Sequence, residues 1–141
     1  TGWMHNRVRM IAASFLVKHL RIHWMEGEKH FKNCLVDYNE ASNVAQWQWV
    51  AGCGADAAPY FRIFNPILQG EKFDKEGLYV KKWVPEISKV PEKFTHKPWE
   101  MEIKYQQAIK TIIGKDYPEP IVIHEKARAS ALEAFQTLKK K

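Results

Sequence analysis

The chain has 141 residues, 45% of them hydrophobic, and a formal net charge of +6. That is enough apolar material for one domain with a buried core. No run of 18 apolar residues occurs, so a membrane-spanning helix is excluded, and no charged-then-apolar leader with a small-residue cleavage site is read at its start. The charge is uneven: residues 1–58 hold 6 Lys/Arg against 5 Asp/Glu, and the remainder 16 against 11. Solvated lysines such as Lys81, Lys82 and the Lys139-Lys140-Lys141 tail account for much of this, so a polyanionic partner is permitted but not demanded.

The chain opens at Thr1-Gly2-Trp3 without an initiator Met and reads as a piece of a longer protein. From Met4 to Trp24, Val8, Ile11, Ala12, Phe15, Leu16 and Leu20 recur at three- and four-residue steps, which predicts one amphipathic helix. Asn6, Arg9 and Met10 fall together at its N-terminal end. A second helix is expected from Gly27 to Val36, with Phe31 and Leu35 inward. Asp37-Tyr38-Asn39 interrupts the pattern, and Glu40 to Ala51 reads as a third helix ended by Gly52 and Gly54. Trp47 and Trp49, two apart, point roughly 200° away from each other on such a helix. Asn43 shares the face of Trp47, so the helix is expected to serve two surfaces.

Ala55 to Phe64 is apolar and turned, with Pro59 as punctuation. Asn65-Pro66 reads as a cap followed by a proline in the first turn of a short helix. Another short helix is expected around Lys75 to Trp83, stopping at Val84-Pro85. Pro91, Pro98, Pro118 and Pro120 divide the remainder into loops around a helix near 99–113. The last helix, His124 to Lys139, carries Ala127, Ala131, Phe135 and Leu138 on one side. Alternating strand patterns and repeats are absent. The fold class is all-α, a helical bundle.

Some chemistry can be set aside. His19 and His23 have metal-compatible i,i+4 spacing, but no cysteine or carboxylate accompanies them at suitable spacing. They read as surface histidines, and no metal site is expected. Cys34 and Cys53 lack paired spacing and read as buried free thiols in a reducing compartment. No glycine-rich phosphate loop and no Ser/His/Asp arrangement is present.

Three stretches carry a family resemblance. Thr1-Gly2-Trp3-Met4-His5-Asn6-Arg7, Trp47-Gln48-Trp49, and Asp56-Ala57-Ala58-Pro59-Tyr60-Phe61-Arg62-Ile63-Phe64-Asn65-Pro66 resemble the photolyase/cryptochrome family, closest to the class I cyclobutane pyrimidine dimer (deoxyribodipyrimidine) photolyases. The resemblance covers essentially the whole chain and is strongest over residues 1–85. It implies that residues 1–141 are the C-terminal portion of the helical FAD-binding and DNA-binding domain. The α/β antenna domain and the first part of the FAD domain would lie outside this stretch.

The resemblance also implies roles. Trp47 resembles the tryptophan nearest the flavin and Trp24 the middle member of an electron-transfer chain; taken alone, both read as core aromatics. Asn43 resembles the asparagine beside the flavin N5 edge. Asp37, Tyr38 and Asn39 occupy the FAD-contacting segment, and Arg9 resembles the arginine that pairs with the aspartate at position 37. Alone, Asp37 would read as a helix cap. The family often has aspartate where Asn39 stands, which removes a negative charge there. Asn6, Arg7, Met10, Trp49 and Gln69 resemble residues that receive DNA and the flipped dimer. Photolyases acting on (6-4) photoproducts carry histidines at the positions of Asn6 and Met10; neither residue here can transfer a proton near neutral pH.

The implied activity is light-driven repair of cyclobutane pyrimidine dimers in DNA by electron transfer from reduced FAD, within a longer parent enzyme. That parent is expected to be a monomeric, cytoplasmic protein of bacterial type acting at the nucleoid, and it can carry an antenna pigment. FAD is not expected to be retained by the 141-residue stretch alone. Two other readings stand beside this one: a cryptochrome-type flavin photosensor without repair activity, and a fragment inactive by itself.

Overall fold

The computed structural model describes residues 1–60 and 62–139, without the side chains of Leu138 and Lys139. Seven α-helices occur among the described residues: α1 (Asn6–Ser14), α2 (Trp24–Cys34), α3 (Glu40–Ala51), α4 (Pro66–Phe73), α5 (Leu78–Trp83), α6 (Ile103–Ile109) and α7 (His124–Lys139). No strand is found among them, and one isolated bridge joins Ile113 to Tyr117. The all-α expectation holds. No helix of the described residues is long and apolar enough to cross a membrane. The chain divides into two units, Thr1–Phe64 with Val122–Lys141, and Asn65–Ile121.

In the first unit, the single helix expected from Met4 to Trp24 is broken. The side chain of His5 caps α1 by accepting from the Arg7 N–H at 3.1 Å. After Ser14 the chain winds as a π-helix over Phe15–His19, and the Leu20 N–H reaches back five residues to the Phe15 carbonyl at 3.1 Å. This wider turn resets which residues face inward, so Ser14, Lys18 and His19 are all buried. Arg21, at φ 56°, then ends the run, because a left-handed residue cannot propagate a right-handed helix. Its guanidinium donates to the Ser130 carbonyl and, at 2.7 Å, to Ser130 Oγ on α7. Apolar residues go on recurring through the break, which is why periodicity alone joins the two segments. α2 accordingly starts at Trp24, where His23 accepts from the Met25 N–H at 3.4 Å.

α3 has the expected bounds. Asn39 caps it, its Oδ1 accepting from the Ser42 N–H at 3.0 Å, and Gly52 closes it at φ 77°. The core is Ala13, Phe31, Trp47 and Val50, with Leu16, Trp24, Leu35 and Trp49 packed around them. α7 buries Ala131 completely, with Ala127 and Phe135 half-buried on the same stripe; the Leu138 side chain lies outside the described residues. Tyr60 stacks on Phe135 with centroids 4.5 Å apart.

His19 corrects the expectation of a surface residue. It is 8% exposed, and its Nε2 meets His124 Nδ1 at 2.8 Å. The loop backbone at Arg62 and Phe64 is held by the π segment and the end of α1: Lys18 Nζ donates to the Arg62 carbonyl at 2.7 Å, and Ser14 Oγ accepts from the Phe64 N–H at 3.3 Å. These side chains satisfy backbone groups that no helix or sheet reaches. Phe61 of that loop lies outside the described residues, as do Lys140 and Lys141. Cys34 and Cys53 are free thiols, but both are exposed, not buried: Cys34 sits on the last turn of α2 and Cys53 follows the Gly52 cap.

The second unit opens on the expected Asn65 cap, whose Oδ1 accepts from the Ile67 and Leu68 N–H groups at 3.0 and 3.3 Å. α5 starts at Leu78, later than expected. Asp74 draws in the N–H groups of Tyr79 and Val80, both at 3.0 Å, and Gly77 turns left-handed at φ 71°, so Lys75 and Glu76 stay outside the helix. α6 is shorter than the 99–113 expectation because Pro98–Glu100 forms a separate 3₁₀ turn and Lys110 ends the helix at φ 56°. Ile87, Val90 and Met101 form the core, flanked by Val80, Val84, Phe94, Ile109 and Tyr117. Lys81 is half-buried and Lys82 exposed.

Candidate ligand cleft on the first unit

The first unit carries a cleft of about 280 Å³, lined from α1, α2, α3 and the turn between α2 and α3. One wall is apolar: Ala13, Phe31, Leu35, Trp47 and Val50. Trp47 is 3% exposed, and Phe31 meets it edge-on at 5.0 Å and 66°, a favoured aromatic geometry. The polar lining comes from Asn6, Arg9, Asp37, Tyr38, Asn39, Ser42, Asn43 and Gln46. Trp47, Asn43 and Gln46 reach one cleft because they lie within four residues on α3.

Arg9 ties α1 to the turn before α3. One guanidinium nitrogen donates to both carboxylate oxygens of Asp37, at 2.9 and 2.8 Å, and Nε donates to the Met4 carbonyl at 2.8 Å. The two charges balance each other across the contact. Asn43 is oriented from α2: its Nδ2 donates to the Glu28 carbonyl at 3.2 Å and to Glu28 Oε1 at 3.1 Å. A backbone carbonyl can only accept, so the amide nitrogen must face Glu28 and Oδ1 is the atom left for the cleft. Tyr38 donates its hydroxyl to the same Glu28 Oε1 at 3.2 Å. Burial first, and then the Glu28 carboxylate, raise the Tyr38 hydroxyl above its ordinary value of 10.0, so it remains a donor at neutral pH. An apolar wall with acceptors and donors along one edge suits an organic ligand that has a ring to bury and polar groups at its edge. No group of three or more His, Cys, Asp and Glu able to hold a metal ion occurs among the described residues.

The cleft gathers Arg9, Asp37, Tyr38, Asn39, Asn43 and Trp47, and also Asn6 and Met10. Four other candidates are absent from its lining. Trp24 and Trp49 are half-buried and pack against the core cluster that contains Trp47. The expected division of α3 is therefore partial: Trp47 alone of the two faces the cleft, while both rings touch one core. Arg7 is exposed on α1. Gln69 lies on α4 of the second unit, and its Oε1 is buried without a hydrogen-bond partner.

Sequence reasoning passes over Gly27 and Glu28. Gly27 is buried beneath the Trp47 ring, and Glu28 holds both Asn43 and Tyr38. A glycine inside an otherwise helical pattern is a usable signal, since it lowers helix stability unless packing requires it. The Glu28 contacts have no local signature, because their partners are 10 and 15 residues away. Lys18 escapes sequence reasoning for another reason: lysine is rarely buried. It is 2% exposed, and burial lowers it to about 8.

Comparison with known proteins follows the same lines. The family described as the FAD binding domain of DNA photolyase matches residues 1–137. A deoxyribodipyrimidine photo-lyase of Agrobacterium fabrum is 59% identical over 99% of this chain and 29% of its own length. The crystal structure of a bacterial class III photolyase from Agrobacterium tumefaciens superposes with a TM-score of 0.94 at 58% identity, over 99% of this chain and 29% of that one. A Synechocystis cryptochrome structure superposes at 0.88 with 37% identity, over 94% of this chain and 27% of its own. The chain thus spans 29% of the length of the Agrobacterium photo-lyase it matches. The class III description stands beside a motif reading nearest class I.

Proposed function

The chain belongs to the family of the FAD-binding domain of DNA photolyases, and from that premise we propose that it is the C-terminal portion of the FAD- and DNA-binding domain of a light-driven DNA repair enzyme. Its substrate is DNA containing cyclobutane pyrimidine dimers. The observation that carries this reading is the cleft: residues from three helices and a turn, up to 44 positions apart between Asn6 and Val50, line one space of mixed apolar and polar character.

In this reading Trp47 and Phe31 would supply the apolar wall for the flavin ring system, Asn43 Oδ1 would offer it a hydrogen-bond acceptor, and Arg9, Asp37, Tyr38 and Asn39 would hold its polar side. When bound and reduced, FAD supplies the photoexcited electron donor; the chemistry of ring splitting belongs to the cofactor. The chain supplies burial, orientation and oxidisable indoles: Trp47 in the cleft and Trp24 packed on the same core. Asn6 and Met10, in the same lining, present an amide and a thioether to the flipped dimer. Arg7 contacts a phosphate, and Trp49 and Gln69 meet the damaged strand. Neither Asn6 nor Met10 shuttles protons near pH 7, which suits a cyclobutane substrate that electron transfer alone can open.

A second reading, a flavin photosensor, is favoured by the likeness to the Synechocystis cryptochrome. Binding of damaged and undamaged oligonucleotides to the full-length protein, across a salt series, separates the two. Arg7→Ala should weaken binding and flatten its salt dependence, because a phosphate contact releases counterions. Trp49→Ala should reduce the preference for damaged DNA. Two variants indistinguishable from wild type would remove the repair reading.

A further inference from the structure

The glycines with positive φ, among them Gly52, Gly54, Gly77 and Gly114, are explained by backbone conformation. Gly27 is not among them. It lies inside α2, where glycine weakens a helix relative to alanine. Its reason is steric. A Cβ at position 27 would stand 2.6 Å from Cζ2 of Trp47 and closer still to Cη2, far inside the ordinary carbon–carbon separation of about 3.5–4.0 Å. The indole therefore rests directly on the backbone of α2, with Phe31, one turn along the same helix, against its edge.

We propose that Gly27 is a positioning residue that sets the depth of the cleft by letting Trp47 seat against α2. The inference rests on the reading of the cleft as the site of a flat tricyclic cofactor. Trp47 is enclosed by the core on one side and lines the cleft on the other. Its helix is pinned at the N-terminus by the Asn39 cap and through Asn43 to Glu28. A methyl group at position 27 leaves the ring one way to move, into the cleft, where it takes up space that the cofactor ring needs. The atoms that would meet the new Cβ are Cη2, Cζ3 and Cζ2, the outer six-membered ring of the indole. Phenylalanine at position 47 lacks that outer reach, so the model of action is specific to one pair of residues.

The test is a double-mutant cycle in the full-length protein with Gly27→Ala, Trp47→Phe and both together, read by flavin dissociation constant and by melting temperature. Gly27→Ala alone should raise the flavin dissociation constant by roughly tenfold, an effect on the scale of over-packing a core, and lower the melting temperature. In the Trp47→Phe background the same change should leave the dissociation constant within about threefold of Trp47→Phe alone and should not lower the melting temperature. Unchanged behaviour of Gly27→Ala, or an equal loss in both backgrounds, overturns the proposal. If Gly27→Ala does not fold, recovery of soluble protein in the double variant supports it, and failure of the double variant overturns it. Should wild-type protein bind no flavin, the cofactor reading fails separately, and the melting temperatures still decide whether Gly27 acts through Trp47.

Discussion

The tie between Arg9 and Asp37 allows a quantitative expectation. It joins α1 to the turn that leads into α3, across 28 residues of sequence, and both partners line the cleft. Their side chains are 23% and 41% exposed. Full exposure would limit such a pair to about 0.2–1 kcal/mol, whereas hydrogen bonds to charged groups in protected sites contribute about 1.5–3 kcal/mol. The contact uses a single guanidinium nitrogen for both oxygens, without the parallel two-nitrogen fork that strengthens the best pairs. A coupling energy of about 1 kcal/mol is therefore expected between Arg9→Met and Asp37→Asn, measured by denaturant unfolding of the two single variants and the double. Arg9→Met should cost more than Asp37→Asn, since it also frees the Met4 carbonyl. Flavin affinity should fall in both single variants, because the turn carrying Tyr38 and Asn39 loses its anchor, and the coupling should shrink at high salt. A coupling indistinguishable from zero at low salt, with flavin affinity unchanged, would refute the view that this pair organises the cleft.

Trp47→Phe in the full-length protein should slow photoreduction of oxidised flavin severely, because phenylalanine is much harder to oxidise, while repair by already reduced enzyme persists; loss of both in a flavin-loaded variant contradicts the assigned role. Burial, and then His124, hold His19 below its ordinary 6.5, so the unfolded chain binds more protons and stability should fall as pH drops through about 6.5; His124→Gln should flatten that acid limb in a series of melting temperatures. Lys18, held at about 8 against 10.5, adds a second limb of the same sign at alkaline pH: stability should rise between those values, and Lys18→Met should abolish the rise. Asn39→Ala should cost about 1 kcal/mol in unfolding free energy through loss of the α3 cap, and Asn39→Asp should keep the cap, so equal losses in the two would argue that the side chain serves another purpose.

Much of the local structure was legible along the chain. The bounds of α3 and α7 and the Asn65-Pro66 start of α4 depend on caps and periodicity within a few residues, and these forces act in any helical context. Asn43 and Trp47 share a face for the same reason. The family resemblance named eight of the residues that line the cleft, together with four that do not, but their meeting depends on contacts that no spacing encodes: Arg9 with Asp37, and Glu28 with Asn43 and Tyr38. Tertiary packing also overrode local pattern at Phe15–Arg21. There a π turn and a left-handed arginine exchange ideal helix geometry for burying Ser14, Lys18 and His19 against the backbone of Arg62 and Phe64 and against α7. Propensity is worth tenths of a kcal/mol per residue, and satisfying buried polar groups is worth more. The sequence by itself therefore determined which segments are helical and what family they belong to, while only the tertiary structure decided where a helix breaks, which histidine is buried, and why residue 27 has no side chain.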